Sequence, residues 1–272
     1  MSAVAPQAPP TSVLTRAPQR VDAWWVTPVV TIVVLGAFVV YATWAGLQNA
    51  YYWADPYLSP FYSPCLSANC AHSDVTLFGD WWRWSPAILI LWAPGGFRLT
   101  CYYYRKAYYR AFVWAPPACA VPDARAKYFG ESRFPLILQN IHRYFFYFSI
   151  PILVFLWWDA FRAFRFPDGF GVGVGTLVLL ANATLLSLYT LSCHSCRHVC
   201  GGGLDRFSRA PTRYALWKRI SVLNQRHPQI AWVSLFGVAL SDLYVRLVAM
   251  GTIHDLRLFR WPSTRRTSTT SW

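Results

Sequence analysis

Five long apolar stretches constrain the fold of this chain more than any other feature of its sequence. They cover residues 26–48, 84–104, 135–158, 170–192 and 227–250. Each is long enough to supply the roughly 20 residues with which a helix crosses a lipid bilayer. A backbone in hydrocarbon must satisfy its hydrogen bonds internally, so these stretches are expected to be helices. The sequence therefore predicts an all-α, polytopic membrane protein with a bundle of five transmembrane helices.

The regions outside these stretches predict a simple domain organisation. Residues 1–25 are rich in Pro, Ala and Thr and have no apolar core with a cleavage site of small residues. This pattern is typical of a disordered tail rather than a signal peptide. We expect a membrane domain over residues 26–258 and a C-terminal tail over residues 259–272.

The distribution of positive charge predicts the orientation. The net charge of +14 could suggest a nucleic-acid partner. However, if the N-terminus lies inside, the inner segments hold 15 Lys and Arg residues and the outer segments hold seven. This is the positive-inside bias of membrane proteins. We therefore expect a multi-pass protein of the plasma membrane in contact with lipid, with a cytoplasmic N-terminus, an external C-terminus and no nucleic-acid partner. An acidic partner could dock on the cytoplasmic face.

A cluster of thiols and imidazoles follows the fourth stretch, where residues 193–200 read Cys-His-Ser-Cys-Arg-His-Val-Cys. Both groups are ligands for zinc and iron, so their concentration at a membrane boundary indicates a metal or iron–sulfur centre. The predicted inner ends of other stretches add Cys101, His142 and His227. The predicted ligand set is Cys101, His142, Cys193, His194, Cys196 and His198.

The same side chains discriminate between cofactors. Two haems b stacked across a membrane would need two axial histidines at each depth, but the outer half offers only His254 and the loop residue His72. One inner haem b remains an alternative, although it would leave the thiols unused. A Rieske-like [2Fe–2S] cluster uses both Cys and His. Zinc in a Cys2His2 site would also use both, but only as a structural staple.

Helical geometry limits which ligands can act together. On one regular helix Cys193 and Cys196 share a face, His194 and His198 share another, and the two faces diverge by about 100° or more. Either the Cys face is completed by His142 and His227, or the His face is completed by Cys101 and another thiol. Unwinding near the glycines at 201–203, which we expect to end the fourth helix, would relax this limit. We expect a site shared between helices, with Cys200 and Cys119 as packing residues.

Charged residues near the predicted centre have two interpretations. Four arginines could raise the potential of a cluster and bind a quinone, or could bind phospholipid headgroups. These arginines are Arg98, Arg105, Arg143 and Arg197. Asp242 and Arg246 are four residues apart in the fifth stretch, which predicts an ion pair and leaves a proton route as the alternative. Cys65 and Cys70, in an outer loop, are expected to form a disulfide.

Several longer motifs carry a family resemblance. They lie at residues 97–110, 138–144, 192–198 and 241–247. On these segments the chain resembles the membrane anchor subunit of succinate dehydrogenase, respiratory complex II, and in particular the single-chain anchors of mycobacteria and related actinobacteria. The likeness extends over roughly residues 24–258, but the chain departs from anchors with two haems because it lacks the outer histidines.

The resemblance implies a function within a complex. It implies a flavoprotein subunit that oxidises succinate, an iron–sulfur subunit that relays the electrons, and an anchor that holds both on the membrane and helps to form the site for menaquinone. The chain would then be part of an enzyme without being catalytic alone. A higher oligomer of the complex is left open. The alternative from another class is a zinc-stapled structural or transport protein.

Overall fold

The computed structural model describes residues 20–68, 70, 77, 81–124, 132–134 and 136–262. Helices dominate this part of the chain, as expected for an all-α membrane protein. Their bounds are α1 Val26–Gln48, α2 Ala87–Thr100, α3 Tyr102–Tyr108, α4 His142–Arg162, α5 Val174–Leu191, α6 His194–Gly201, α7 Pro211–Gln225 and α8 His227–Ala249. The predictions for residues 1–19 and for His72 lie outside the described residues.

Four helical segments in the described part of the chain are long and apolar enough to cross a membrane. They are Val26–Gln48, Ile137–Arg162, Val174–Leu191 and His227–Ala249. The first matches the predicted stretch at both ends, and the last ends one residue before it. The second, Ile137–Arg162, begins within a 3-10 segment, Leu136–Ile141, that runs directly into α4. By length and composition, these four confirm a polytopic helical membrane protein but not the count of five.

The predicted second span is two helices instead of one. Helix α2 has only 14 residues, about 21 Å at 1.5 Å per residue, which is shorter than the roughly 30 Å of hydrocarbon. Cys101 then has extended backbone angles (φ −59°, ψ 131°) and immediately precedes α3. The expectation of one continuous helix over residues 84–104 is therefore wrong, because the chain leaves the helical conformation at Cys101.

The predicted fourth span begins later than expected. Strand β4, Gly169–Gly173, precedes α5 and pairs antiparallel with β3, Arg165–Phe166, and with β5, Arg257–Pro262. Alternating glycines disfavour a helix. Gly171 also allows close approach, because a Cβ there would lie 2.9 Å from the Phe259 carbonyl oxygen. Strand β5 extends to Pro262, so residues 259–262 at the start of the expected C-terminal tail belong to this sheet.

The described residues form two compact units. One contains the described residues within Met1–Val40 and Arg98–His142, and the other those within Tyr41–Phe97 and Arg143–Trp272. In the second unit α5 packs against α8, with Leu179, Ala183 and Val245 buried in a core that also contains Tyr57 and Phe166. A hairpin of β1, Trp53–Ala54, and β2, Tyr57–Leu58, brings Tyr57 to this core. Cys65 and Cys70 are joined by a disulfide.

Asp242 and Arg246 form the predicted ion pair near the C-terminal end of α8. Arg246 Nε donates to Asp242 Oδ2 at 2.7 Å, and both side chains are almost completely buried. Asp242 also accepts from the hydroxyls of Tyr41 and Ser59. The guanidinium donates further to the side chain of Gln48 (2.6 Å) and to the carbonyls of Ala45 (2.7 Å) and Ala50 (2.9 Å). These hydrogen bonds satisfy the buried charges and indicate a structural pair.

Candidate functional site

The helix that leads into the Cys/His cluster is interrupted at Cys193. Helix α5 ends at Leu191, Cys193 has extended backbone angles (φ −66°, ψ 146°), and α6 begins at His194. Cys193 is buried, and its Sγ accepts from the backbone N–H of Ser195 at 3.4 Å. The prediction that one regular helix carries the cluster past Cys193 is therefore wrong. The break frees Cys193 from the helical spacing that would fix its direction relative to Cys196.

The break is held by side chains from α7 and α8. His227 Nδ1 and Ser192 Oγ are hydrogen bonded at 2.7 Å, and Asn224 Nδ2 donates to the Ser192 carbonyl at 2.6 Å. The Tyr189 ring stacks on the His227 ring at 5.1 Å. A helix end leaves carbonyls without intrahelical partners, and Asn224 satisfies one of them. Sequence reasoning missed Ser192, Asn224 and Tyr189, although a Ser directly before Cys193 was a usable signal.

Within α6 the spacing of the residues puts His194 and His198 on one face and Cys196 and Cys200 on another. The rings of His194 and His198 are 4.9 Å apart, and both residues are exposed. Cys196 is buried one turn before Cys200. The glycines at 201–203 end α6 rather than the membrane-spanning helix, and Gly203 has φ +74°.

Charge and burial set the protonation of this short helix, which lies outside the membrane-spanning segments. The pKa of His194 is lowered because its imidazole, although exposed on one side, is partly shielded from water, and because His198, Arg197 and Arg143 place positive charge nearby. A lowered pKa favours the neutral imidazole, which is the form that binds metals. Burial, with a smaller contribution from Cys200, raises the pKa of the Cys196 thiol to about 12. A metal would therefore have to displace a proton from this sulfur.

Cys101 and His142 lie in the other compact unit, where the residue before Cys101 contacts His142. Thr100, the residue before Cys101, has its Oγ1 at 2.8 Å from His142 Nδ1. Cys101 is buried at the break between α2 and α3. One ring nitrogen of His142 is thus held by a hydroxyl, which is how the outer partners of metal-binding histidines act.

The four arginines predicted to bind quinone all have protein partners. Arg98 Nη1 donates to the Tyr104 hydroxyl at 3.0 Å, and the Arg105 guanidinium lies 4.3 Å from the Tyr102 ring centre. In the other unit Arg143 Nη2 lies 3.5 Å from His198 Nδ1. Arg197 Nε donates to Ser221 Oγ at 3.0 Å, and its guanidinium lies 4.8 Å from the Trp217 ring centre. Arg143 and Arg197 therefore place positive charge beside α6.

The predicted donors do not form a complete metal site in the part of the chain that the structure describes. Among the residues it describes, no group of three or more His, Cys, Asp or Glu side chains is placed to hold a metal ion. The donors nevertheless suit iron, since a buried thiol at a helix break is followed at once by a pair of imidazoles and a second buried thiol. Joint ligation by these four residues together with Cys101 and His142 stays a prediction.

Comparison with known proteins gives two matches. The family model for the actinobacterial succinate dehydrogenase subunit SdhC matches residues 26–251. A chain of the Mycobacterium smegmatis Sdh1 complex in the apo form is 50% identical to this chain, with a TM-score of 0.82. The alignment covers 90% of this chain and 94% of that chain. No curated protein is significantly similar in sequence.

Proposed function

The chain belongs to the actinobacterial succinate dehydrogenase subunit SdhC family, and from this premise we propose that it holds a flavoprotein and an iron–sulfur subunit on the plasma membrane and helps to reduce menaquinone. It is a membrane subunit of succinate dehydrogenase and is not catalytic alone. In the proposed reaction, succinate loses two electrons and two protons to become fumarate, and menaquinone gains two of each to become the quinol.

The proposed orientation has a cytoplasmic N-terminus and an external C-terminus. The uneven distribution of Lys and Arg supports it, because cytoplasmic segments carry the excess of positive charge. The connection between α5 and α8, which contains α6 and α7, would then face the cytoplasm. A water-soluble partner on that side could reach the Cys/His cluster directly.

We propose a Rieske-like [2Fe–2S] centre as the resident cofactor. The residues that would hold it come from six candidates. These are the thiols of Cys101, Cys193 and Cys196 and the imidazoles of His142, His194 and His198. When bound, such a centre supplies one-electron transfer between the partner's iron–sulfur centres and the quinone. The observation that carries this assignment is the break at Cys193, because it releases a buried thiol from the regular helix beside two neighbouring imidazoles.

The arginines have a supporting role in this proposal. Positive charge from Arg143 and Arg197 beside α6 favours the more negative, reduced state of a cluster and so raises its reduction potential. Arg98 and Arg105 lie near Cys101 in sequence, where guanidinium groups can donate to a quinone carbonyl. The tyrosine partners of Arg98 and Arg105 would hold these cations in fixed positions.

Histidine variants of the complete complex test the proposed function. His142→Ala and His198→Ala each should lower succinate-dependent menaquinone reduction by at least about 100-fold, because loss of a metal ligand costs more than loss of an outer partner. Succinate oxidation by a water-soluble dye should persist, since it bypasses the anchor. His254→Ala is the matched control, because this exposed residue lies beyond α8. Quinone reduction that survives in both variants would show that the ligand assignment is wrong.

A further inference from the structure

Helix α7 is unusually exposed for a helix of its length. It has 15 residues, Pro211–Gln225, and only Ile220 is buried. Most of the stability of a protein helix comes from packing one apolar face against other elements. A helix with so little burial therefore leaves most of its surface for contact with something outside this chain.

One face of α7 is fixed to α6 and to the end of α5. The Trp217 ring lies under the Arg197 guanidinium and fills the space beside Gly201, while Ser221 Oγ accepts from Arg197. Arg213 Nε donates to the Cys200 carbonyl at 3.0 Å. These contacts determine which face of α7 points away from α6.

The opposite face combines cations with apolar side chains. Lys218 and Val222 are one turn apart, Arg219 follows Lys218, and all three are exposed, with Val222 at 65%. Ala215, one turn before Lys218 and Arg219, is exposed on the same face. An apolar centre with a polar rim is typical of a protein–protein interface. A helix that lies on a lipid surface instead separates its apolar and basic residues onto opposite faces, whereas α7 has apolar side chains on both.

The charge of the segment around α7 indicates the charge of the partner's surface. Residues 193–226 contain seven Lys and Arg residues and one acidic residue, Asp205. Such a surplus attracts an acidic protein surface and repels a basic one. The segment also contains α6, so a partner bound here would lie next to the Cys/His cluster.

We propose that the outward face of α7, formed by Ala215, Lys218, Arg219 and Val222, is the docking surface for the water-soluble part of succinate dehydrogenase. This inference rests on the proposed function. It specifies a partner surface that is acidic at its edge and apolar at its centre. Docking there places the electron donor beside α6 rather than at the opposite ends of the membrane helices.

Charge reversal tests this surface in the whole complex. When the chain is purified from membranes, the double variant Lys218→Glu and Arg219→Glu should carry at least about tenfold less dye-linked succinate-oxidising activity than the natural chain. A tenfold loss corresponds to only about 1.4 kcal/mol of binding free energy. The neutral double variant Lys218→Gln and Arg219→Gln should lose less, and its loss should grow with salt. Arg165→Glu is the matched control, an exposed arginine of β3 in the sheet that joins the opposite ends of α4 and α5.

The outcomes separate this inference from the function on which it rests. If the natural chain itself brings down no dye-linked activity, the partnership in the proposed function fails. If the natural chain and the charge-reversal variant retain equal activity while both remain in the membrane, the docking surface alone is wrong. Retained activity with weakened binding of α7 variants to vesicles of anionic lipid would also overturn it, because lipid would then be the occupant.

Discussion

The two ends of α8 hold polar groups of opposite character. Near the C-terminal end, the charges of Asp242 and Arg246 are matched to each other and to hydrogen-bond partners. Near the N-terminal end, His227 and Asn224 hold the break at Cys193, next to thiols and imidazoles that lie side by side on α6. The first region needs nothing beyond the protein itself. The second presents thiols and imidazoles, the side chains that bind iron and zinc, and for this reason we propose the redox role for it.

The largest expected effect is at the first region. Arg246→Ala should lower the free energy of unfolding by about 3–5 kcal/mol, because it leaves Asp242 buried without its counter-charge. Thermal unfolding of the detergent-solubilised complex measures this. Arg257→Ala is the control, since it removes a partly exposed ion pair with Asp168 and should cost less than about 1 kcal/mol. Equal losses in the two variants would mean that the buried network is not the structural element described above.

A smaller effect is expected where α6 meets α7. Gly201→Ala places a methyl group into the Trp217 ring and should cost about 1–3 kcal/mol through overpacking. The variant should also change the bound iron content of the purified chain, because α6 must shift. Gly95→Ala, at a helical glycine with open space around it, should leave the iron content unchanged and the free energy of unfolding unchanged or higher. An unchanged iron content in Gly201→Ala would show that the position of α6 does not matter for the centre.

The frame of the Cys193 break should contribute less still. Asn224→Ala removes the donor to the Ser192 carbonyl and should cost about 1 kcal/mol, the usual net value of one such hydrogen bond. Gln225→Ala, on the exposed end of the same helix, should stay within about 0.5 kcal/mol. Chemical denaturation of both variants gives the comparison. Indistinguishable midpoints would show that Asn224 does not hold the break.

The smallest effect is expected at Cys200. Cys200→Ala removes a partly exposed thiol next to Cys196 and should change stability by less than about 0.5 kcal/mol. Iron and sulfide analysis of the variant should match the natural chain. Loss of iron would make Cys200 a ligand and would revise the predicted set.

The sequence predicted the elements whose limits are local. The bounds of α1 and α8 follow from apolar runs that end at polar or helix-breaking residues, such as Pro228 in the first turn of α8. The i,i+4 spacing also predicted the pair of Asp242 and Arg246, because both lie on one helix. The thiol and imidazole faces of α6 follow from the same spacing.

The features that the sequence did not predict depend on distant residues. No Gly or Pro adjoins Cys193 to mark the break, which instead depends on His227 and Asn224, more than 30 residues later. Strand β4 needs β5 as a partner, almost 90 residues further along. The exposed surface of α7 could not be read from composition, since apolar side chains occur on both its faces.

Electron paramagnetic resonance of the purified complex, combined with iron and acid-labile sulfide analysis, tests the proposed redox centre most directly. A Rieske-type signal that appears on reduction, and that His198→Ala removes while the partner's signals remain, is the predicted result. Bound zinc with no such signal, or a b-type haem spectrum from this subunit, would contradict the account.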